Sequence, residues 1–413
     1  MRALRYRNYR LFFIGQSISL VGTWMTQVAT AWLVYRLTGS AFLLGVVGFS
    51  SQIAGFLLAP VAGVITDRAD HRRILLGTQV LAALQSLAMA VLALAGTIRV
   101  SQIILLSVLQ GFINAFDIPT RQAFVVRMVE DRADLSNAIA LNSSMFNGAL
   151  LLGPPLAGLV ISAAGEGACF LIDSISYLAV IATLLMMRLP PRAVRPPRRR
   201  VTHELAEGIS YAAKSLPIRS LLLLVAFISL VAMPYAVLLP VVARETLHGG
   251  PSTLGLLTGM SGLGALVGSL YLASRRSVRG LVRLSALAGG LFGVGLMVFA
   301  ASHDAWLSLA ALFAAGFGMI VQMAASNTVL QTLVDDDKRG RVMSLFMMAF
   351  LGMLPWGSLM VGALADRIGV HWTLMLEGAA CLAGTLAFAR RLPRLRAAIR
   401  PIYARMGIPP LST

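Results

Sequence analysis

Residues 101–125 read SQIILLSVLQGFINAFDIPTRQAFV. A helix needs about 20 apolar residues to cross the hydrocarbon layer of a bilayer, and this run is long enough. It is not uniformly apolar. Ser107, Gln110, Asn114, Asp117 and Arg121 recur at steps of three and four, which places all five on one helix face. A charge at the bilayer centre costs at least about 2.5–3.5 kcal/mol, so such a face turns from lipid toward partners or water. The segment reads as a membrane-spanning helix with one polar stripe.

The rest of the chain obeys the same reading. Of 413 residues, 57% are hydrophobic and 13% charged, against roughly a quarter charged in a soluble domain. The bilayer is its solvent. Runs of spanning length fall near 10–35, 42–65, 74–96, 101–125, 136–163, 168–188, 219–243, 253–274, 282–301, 305–331, 343–365 and 371–389. Strands would have to alternate and close into a barrel, so the spans are helices. The expected fold class is an all-α membrane protein of twelve transmembrane helices.

A net charge of +18 would suit nucleic acid, but the Arg residues sit in clusters between apolar runs and read as topology signals. With the N-terminus inside, cytoplasmic segments hold Arg2, Arg5, Arg7 and Arg10, then Arg68, Arg72 and Arg73. They also hold Arg275, Arg276, Arg279 and Arg283, then Lys338, Arg339 and Arg341; the other side holds Arg36, Arg99, Arg244 and Arg367. Both termini are expected in the cytoplasm of a bacterial-type inner membrane. The first apolar run is too long for a signal-peptide core and no small-residue cleavage site follows promptly, so the first span is expected to be kept. Cys169 and Cys381 lie apart inside apolar runs, giving no disulfide framework and no metal site.

The chain divides into 1–189, a linker 190–218, and 219–413 with a basic tail. The linker carries Pro190, Pro191, Pro196 and Pro197, the run Arg198-Arg199-Arg200, and an amphipathic stretch from Glu204 to Tyr211. The stretch reads as a short helix on the cytoplasmic face. The basic run reads as a solvated linker, with lipid headgroups as the alternative partner. The halves repeat. Gly153, Gly158 and Gly165 recur as Gly357, Gly362 and Gly369 at an offset of 204, and Asp173 falls opposite Glu377. Val129-Glu130-Asp131-Arg132 resembles Val334-Asp335-Asp336-Asp337 at an offset of 205. Two pseudo-symmetric six-helix bundles are a transporter design, with substrate held between them.

Polar stripes also mark the first span, at Gln16, Ser19, Thr23, Gln27 and Thr30, and the tenth, at Gln322 and Ser326. One stripe is explained by interhelical hydrogen bonds of roughly 0.6 kcal/mol each; matched stripes favour a shared aqueous cavity. Its expected lining is Gln16, Thr23, Trp24, Gln27, Gln110, Asn114, Met233, Tyr235, Met319, Gln322 and Met323. Methionine walls adapt to varied shapes, which suits small amphipathic or aromatic substrates. Asp117 and Arg121, four residues apart, are placed to pair on their own helix and lie toward the cytoplasmic end, where a gating role fits. Asp117, Asp173 and Glu377 are the candidates for protonation. For Asp173 and Glu377, near the outer ends of their spans, a structural ion pair or a solvated rim is the default.

After the second span stands Gly63-Val-Ile-Thr-Asp67-Arg68-Ala-Asp70-His-Arg72-Arg73. It resembles the signature loop of the major facilitator superfamily, with Asp70 where Gly is usual. The resemblance implies that Asp67 meets the N-terminal end of a facing helix near Val342. It also implies that Arg68 or Arg72 pairs with a carboxylate at the base of the fourth span, here Asp117, as a latch. Ala140, Ala149, Gly153-Pro154, Ala157 and Gly158 resemble the family's antiporter motif, a close-packed, kinked helix against the other half, typical of exporters. Ser107 stands where an Arg is usual before Gln110-Gly111. Asp117-Ile-Pro119-Thr-Arg121-Gln-Ala-Phe with Asn137-Ala138 and Asn142 resembles the branch of enterobactin exporters and macrolide-efflux proteins.

The expectation is a monomeric exporter of a small amphipathic molecule, driven by proton antiport, without cofactor. Neither Lys214 nor Lys338 sits in a phosphate-cradling loop, and no HExxH or GxSxG is present, so neither a pump's ATPase nor an enzyme is expected. A flippase for lipid or lysolipid, a facilitator of another substrate, and a non-transporting sensor share the same pattern.

Overall fold

A computed structural model describes residues 2–129, 131, 134–187, 201–275, 277–335 and 337–405. Among them only helices and their connections occur. The basic run Arg198–Arg200 lies outside the described residues, as do the side chains of Gly63, Asp67 and Arg68.

The first half runs α1 (Arg7–Thr38), α2 (Ala41–Arg68), α3 (His71–Leu94), α4 (Val100–Met128), α5 (Leu135–Ala164) and α6 (Glu166–Met186). Then come α7 (Val201–Lys214), α8 (Leu216–Val231) and a 3₁₀ stretch (Met233–Leu238). One turn, α9 (Leu239–Val241), leads into a π-helical turn (Val242–Thr246). The second half continues α10 (Pro251–Ser274), α11 (Leu281–Ala301), α12 (Ala305–Leu333), α13 (Arg339–Leu351), α14 (Leu354–Ile368), α15 (Val370–Arg390) and α16 (Leu392–Arg405).

Counting α8–Thr246 and α13–α14 as single crossings, eleven segments among the described residues are long and apolar enough to span a membrane. The expected count of twelve needs α1, which is 32 residues long but diluted by its polar stripe. Two spans are broken by proline. Pro234 lacks an N–H and its ring collides with the carbonyl four residues back, so α8 ends and a 3₁₀ stretch begins. Pro355 does the same after Leu351, parting α13 from α14. A basic helix beyond the last span, α16, went unread in the sequence.

Contacts divide the chain into two compact units, Met1–Pro197 with Leu239–Gly259, and Arg198–Leu238 with Met260–Thr413. In the first unit α1 packs on α5 and α6, α3 on α4 and α6, and α2 on α4. At one end Tyr9, Phe12, Leu75, Phe124, Val125, Met128, Val180 and Leu184 form its core. In the second unit α11 packs on α12 and α15, repeating the pairing of α3 with α4 and α6. The repeat reaches the backbone: Gly165 and Gly369 both end a helix at positive φ, +79° and +84°, with extended ψ, a conformation open essentially to glycine.

Leu239–Gly259 joins the first unit through bare backbone. A Cβ on Gly158 would stand 2.7 Å from the Pro251 carbonyl oxygen, and one on Gly255 2.4 Å from that of Pro154. Helix α5 runs unbroken through Pro154 and Pro155. Gly158→Val should cost about 1–3 kcal/mol by overpacking, read as a lowered thermal midpoint in detergent. Gly148→Ala, with nothing within 4 Å of the added carbon, should be neutral or stabilising.

Candidate functional site

Asp117 is 2% exposed, deep in the first unit, and has three donors. Thr78 Oγ1 and Gln79 Nε2 of α3 reach its Oδ1 at 2.9 and 2.8 Å, and Arg121, one turn on, pairs with Oδ2. The α4 pair expected from the spacing therefore forms, with α3 completing it. Arg72 does not reach Asp117. Its Nε and Nη2 donate to the carbonyls of Leu184 and Leu185, both at 2.9 Å, because the last carbonyls of α6 lack helical partners. Asp70, the departure from the family loop, caps α3 by accepting from the Arg72 amide at 2.8 Å.

Beyond Asp117 on the same face, Gln110 donates to Asn114 at 3.0 Å, and both remain partly exposed. On α1, Gln16 and Ser19 are buried, whereas Thr23 and Gln27 are exposed and Trp24 is half-buried against Phe146. Gly153 leaves Trp24 its place: a Cβ there would lie 2.5 Å from the Trp24 Cβ. Thr23, Trp24, Gln27, Gln110 and Asn114 are thus the open polar face of the first unit.

The second unit corrects the expected lining. Gln322 is 1% exposed; its Nε2 donates to Ser326 at 3.2 Å, and Ser326 meets Ser285 of α11 at 2.8 Å. This stripe is an interhelical seam, because α11 covers that face of α12. Tyr235 is likewise enclosed, with Ser261 Oγ at 2.6 Å and the Phe292 ring edge-on at 5.9 Å. Met233, Met319 and Met323 keep partial exposure.

Neither Asp173 nor Glu377 is on a solvated rim or in a described ion pair; each is 2% exposed. Ser86 donates to Asp173 Oδ2 at 3.1 Å, while Oδ1 has no hydrogen-bond partner among the described residues. Both Glu377 oxygens lack one there too. No group of three or more His, Cys, Asp or Glu among the described residues is placed to hold a metal.

The ends are fastened by contacts that the sequence reading missed. Before α1, the Ala3 amide donates to Asn137 at 3.0 Å and Tyr6 to Asp134 at 3.0 Å; Arg5 pairs with Asp134 at 2.8 Å. Tyr9 donates to the Ala138 carbonyl at 2.9 Å. Before α8, Tyr211 donates to Asp335 at 3.1 Å and Glu207 pairs with Arg341 at 2.5 Å. Burial holds the Tyr211 phenol above its usual value, keeping its proton available to Asp335. Tyr6 and Tyr211 stand 205 positions apart, the offset that relates Val129 to Val334; that was the available signal. At the other end of α1, Arg36 pairs with Glu166 at 2.8 Å and the Tyr35 hydroxyl meets Glu245.

Removing one partner of a fully buried ion pair typically costs about 3–5 kcal/mol; with Arg121 partly exposed, Asp117→Asn should cost less than that, read as a lowered thermal midpoint. Asp117→Asn with Arg121→Gln should lose less than the sum of the two single changes.

The model of the transmembrane secretion effector family matches residues 1–412. The staphyloferrin A transporter of Staphylococcus aureus (strain NCTC 8325 / PS 47) is 27% identical over 92% of this chain and 95% of its own. The multidrug efflux pump Tap of Mycolicibacterium fortuitum is 28% identical over 91% and 93%. Macrolide efflux protein A of Streptococcus pyogenes is 22% identical over 90% and 94%. Among solved structures, a POT family transporter in complex with a thioalcohol-conjugated peptide aligns with a TM-score of 0.75 at 12% identity, covering 94% of this chain and 96% of that one. A bacterial homolog of the human lysosomal transporter Spinster aligns at 0.69 and 12% identity, covering 97% and 98%. The chain belongs to the transmembrane secretion effector family, a group of membrane transporters within the major facilitator superfamily.

Proposed function

We propose that this chain is a monomeric secondary exporter that moves a small amphipathic, siderophore- or drug-like molecule out of the cytoplasm in exchange for protons. Its binding site opens alternately to the two sides of the membrane, α1 is its twelfth span, and both termini are cytoplasmic. The observation that carries this reading is the family match along residues 1–412, joined by relatives named for a siderophore and for drugs.

The chemistry of the open face supports the substrate class. Thr23, Gln27, Gln110 and Asn114 offer uncharged donors and acceptors beside the Trp24 ring. Arg121 is neutralised by Asp117, which leaves the described part of this face without an unpaired cation for a phosphorylated substrate. Amides and an indole bind partly apolar molecules through a few oriented hydrogen bonds and apolar contact.

Inverted vesicles containing the protein test the coupling, with a fluorescent amphipathic dye as probe and an imposed proton gradient. A gradient of one pH unit is worth about 1.4 kcal/mol and sustains up to about tenfold accumulation per proton exchanged. Accumulation that vanishes with a protonophore is the expected result. Probe movement indifferent to the gradient would contradict antiport. Movement of a labelled lipid between leaflets, with no dye transport, would replace export by a flippase activity.

A further inference from the structure

We infer that Glu377 is a proton-carrying site of the second unit, held as a neutral acid while its bundle is dry and discharged when water enters at the broken seventh crossing. The inference rests on the antiport reading above and names a carrier for its proton.

Glu377 lies on the inner face of α15. Its neighbour Leu376 and the nearby Trp372 are 51% and 63% exposed, whereas Glu377 is 2% exposed. The next residue seals it in. A Cβ on Gly378 would stand 2.7 Å from the Gly293 carbonyl oxygen and 2.6 Å from Met297 Cγ, so α15 and α11 touch backbone to backbone at this level. Neither Glu377 oxygen has a hydrogen-bond partner among the described residues. An ionised carboxylate without donors loses several kcal/mol of hydration with nothing in return. The neutral acid is therefore the form this conformation accepts.

Among the described residues, the three buried carboxyl groups that lie away from the ends of their spans differ in what holds them. Asp117 has three donors, Asp173 has Ser86, and Glu377 has none. A carboxylate locked by donors keeps its charge through a cycle. One with no donors changes state with its surroundings, and a proton carrier must do that.

The surroundings include a way to change. Tyr235 lies in the 3₁₀ stretch that interrupts the crossing begun by α8, and α15, which carries Glu377, packs against that stretch. Its hydroxyl is engaged by Ser261 of α10 at 2.6 Å. Non-helical backbone at membrane depth persists only where protein or water satisfies it, and such breaks recur at coupling-ion sites. Along α15 itself, Cys381 directs its thiol at the Gly289 carbonyl and His371 at that of Ala300. The other charged groups on packed elements stand at helix ends: Arg283 on α11, Arg219 on α8, Asp366 and Arg367 on α14, and the basic residues of α16. Thr373, one turn back on α15, spends its hydroxyl on the Gly369 carbonyl at 2.8 Å, and Tyr235 is the group this inference assigns to answer ionisation. The Glu377 O–H bond breaks, an entering water takes the proton, and the Tyr235 hydroxyl turns from Ser261 toward the carboxylate. Return of the proton restores the Tyr235–Ser261 bond and its hold on α10.

The test uses the full-length protein in proteoliposomes with a fluorescent amphipathic dye. Glu377→Gln keeps shape and fixes neutrality, so gradient-driven accumulation should be lost while downhill dye movement continues. In the wild-type protein, dicyclohexylcarbodiimide, which attacks protonated carboxyls in apolar surroundings, should label Glu377 and block accumulation; peptide mass mapping reads the site. Gradient-dependent accumulation that persists in Glu377→Gln overturns the assignment and leaves antiport standing. A wild-type protein indifferent to the gradient overturns both. Should the variant lose all transport, labelling decides: a modified Glu377 with blocked accumulation supports the site, and an unmodified Glu377 refutes it.

Discussion

An ionised side chain inside hydrocarbon persists only where fixed donors replace its lost water, and Asp117 meets that condition with donors from two helices. Thr78 and Gln79 tie α3 to α4, and Arg121 returns the local charge to zero. The pair is the charged point of the polar stripe on α4, and its ties to α3 fix that face of α4 within its unit. With α4 so turned, Asn114 and Gln110 project on the same face one and two turns away, where they keep partial exposure. An uncharged polar face next to a neutralised ion pair is the feature on which the proposed preference for amphipathic molecules over anions rests.

Other features recur in both units. Each has a glycine at positive φ closing one helix, with a buried carboxyl eight residues further on, Asp173 after Gly165 and Glu377 after Gly369. Each has a tyrosine ahead of its first crossing fastened to an aspartate near its fifth, Tyr6 to Asp134 and Tyr211 to Asp335. Bare glycine backbone then sets approach distances. Gly153 nests on Val21 and Trp24, and its repeat partner Gly357 on Leu230 and Pro234. Large side chains pack by adapting, but backbone against backbone has one register, so these glycines give each unit a rigid interior.

Much of this was legible in the sequence, and the reason is length and period. Apolar runs bounded by charge located the crossings, and 305–331 became Ala305–Leu333. The i,i+4 spacing of Asp117 and Arg121 was enough to expect their pair. Periodicity identifies a polar face but not the neighbour that covers it. Gln322 and Ser326 resembled a cavity wall until Ser285 of α11 was seen to close over them. Depth was misjudged for Asp173 and Glu377: seven residues into a helix at 1.5 Å each is about 10 Å, past the headgroups and into oil. The breaks at Pro234 and Pro355 were written in the sequence as prolines inside apolar runs, and the reading passed over them. Arg72 went to the carbonyls of α6 because a helix end is an acceptor that no linear motif displays.

A carrier needs the polar face of α4 to meet water inside the membrane, and thiol accessibility measures that directly. With Cys169 and Cys381 replaced by alanine, Asn114→Cys should react with a charged, water-borne methanethiosulfonate, and bound dye should protect it. Leu105→Cys, on the opposite face of the same helix and 69% exposed, should stay unreactive because lipid covers it. Reaction at 105 with none at 114 would mean that the polar stripe faces a dry seam, and the carrier reading would fall.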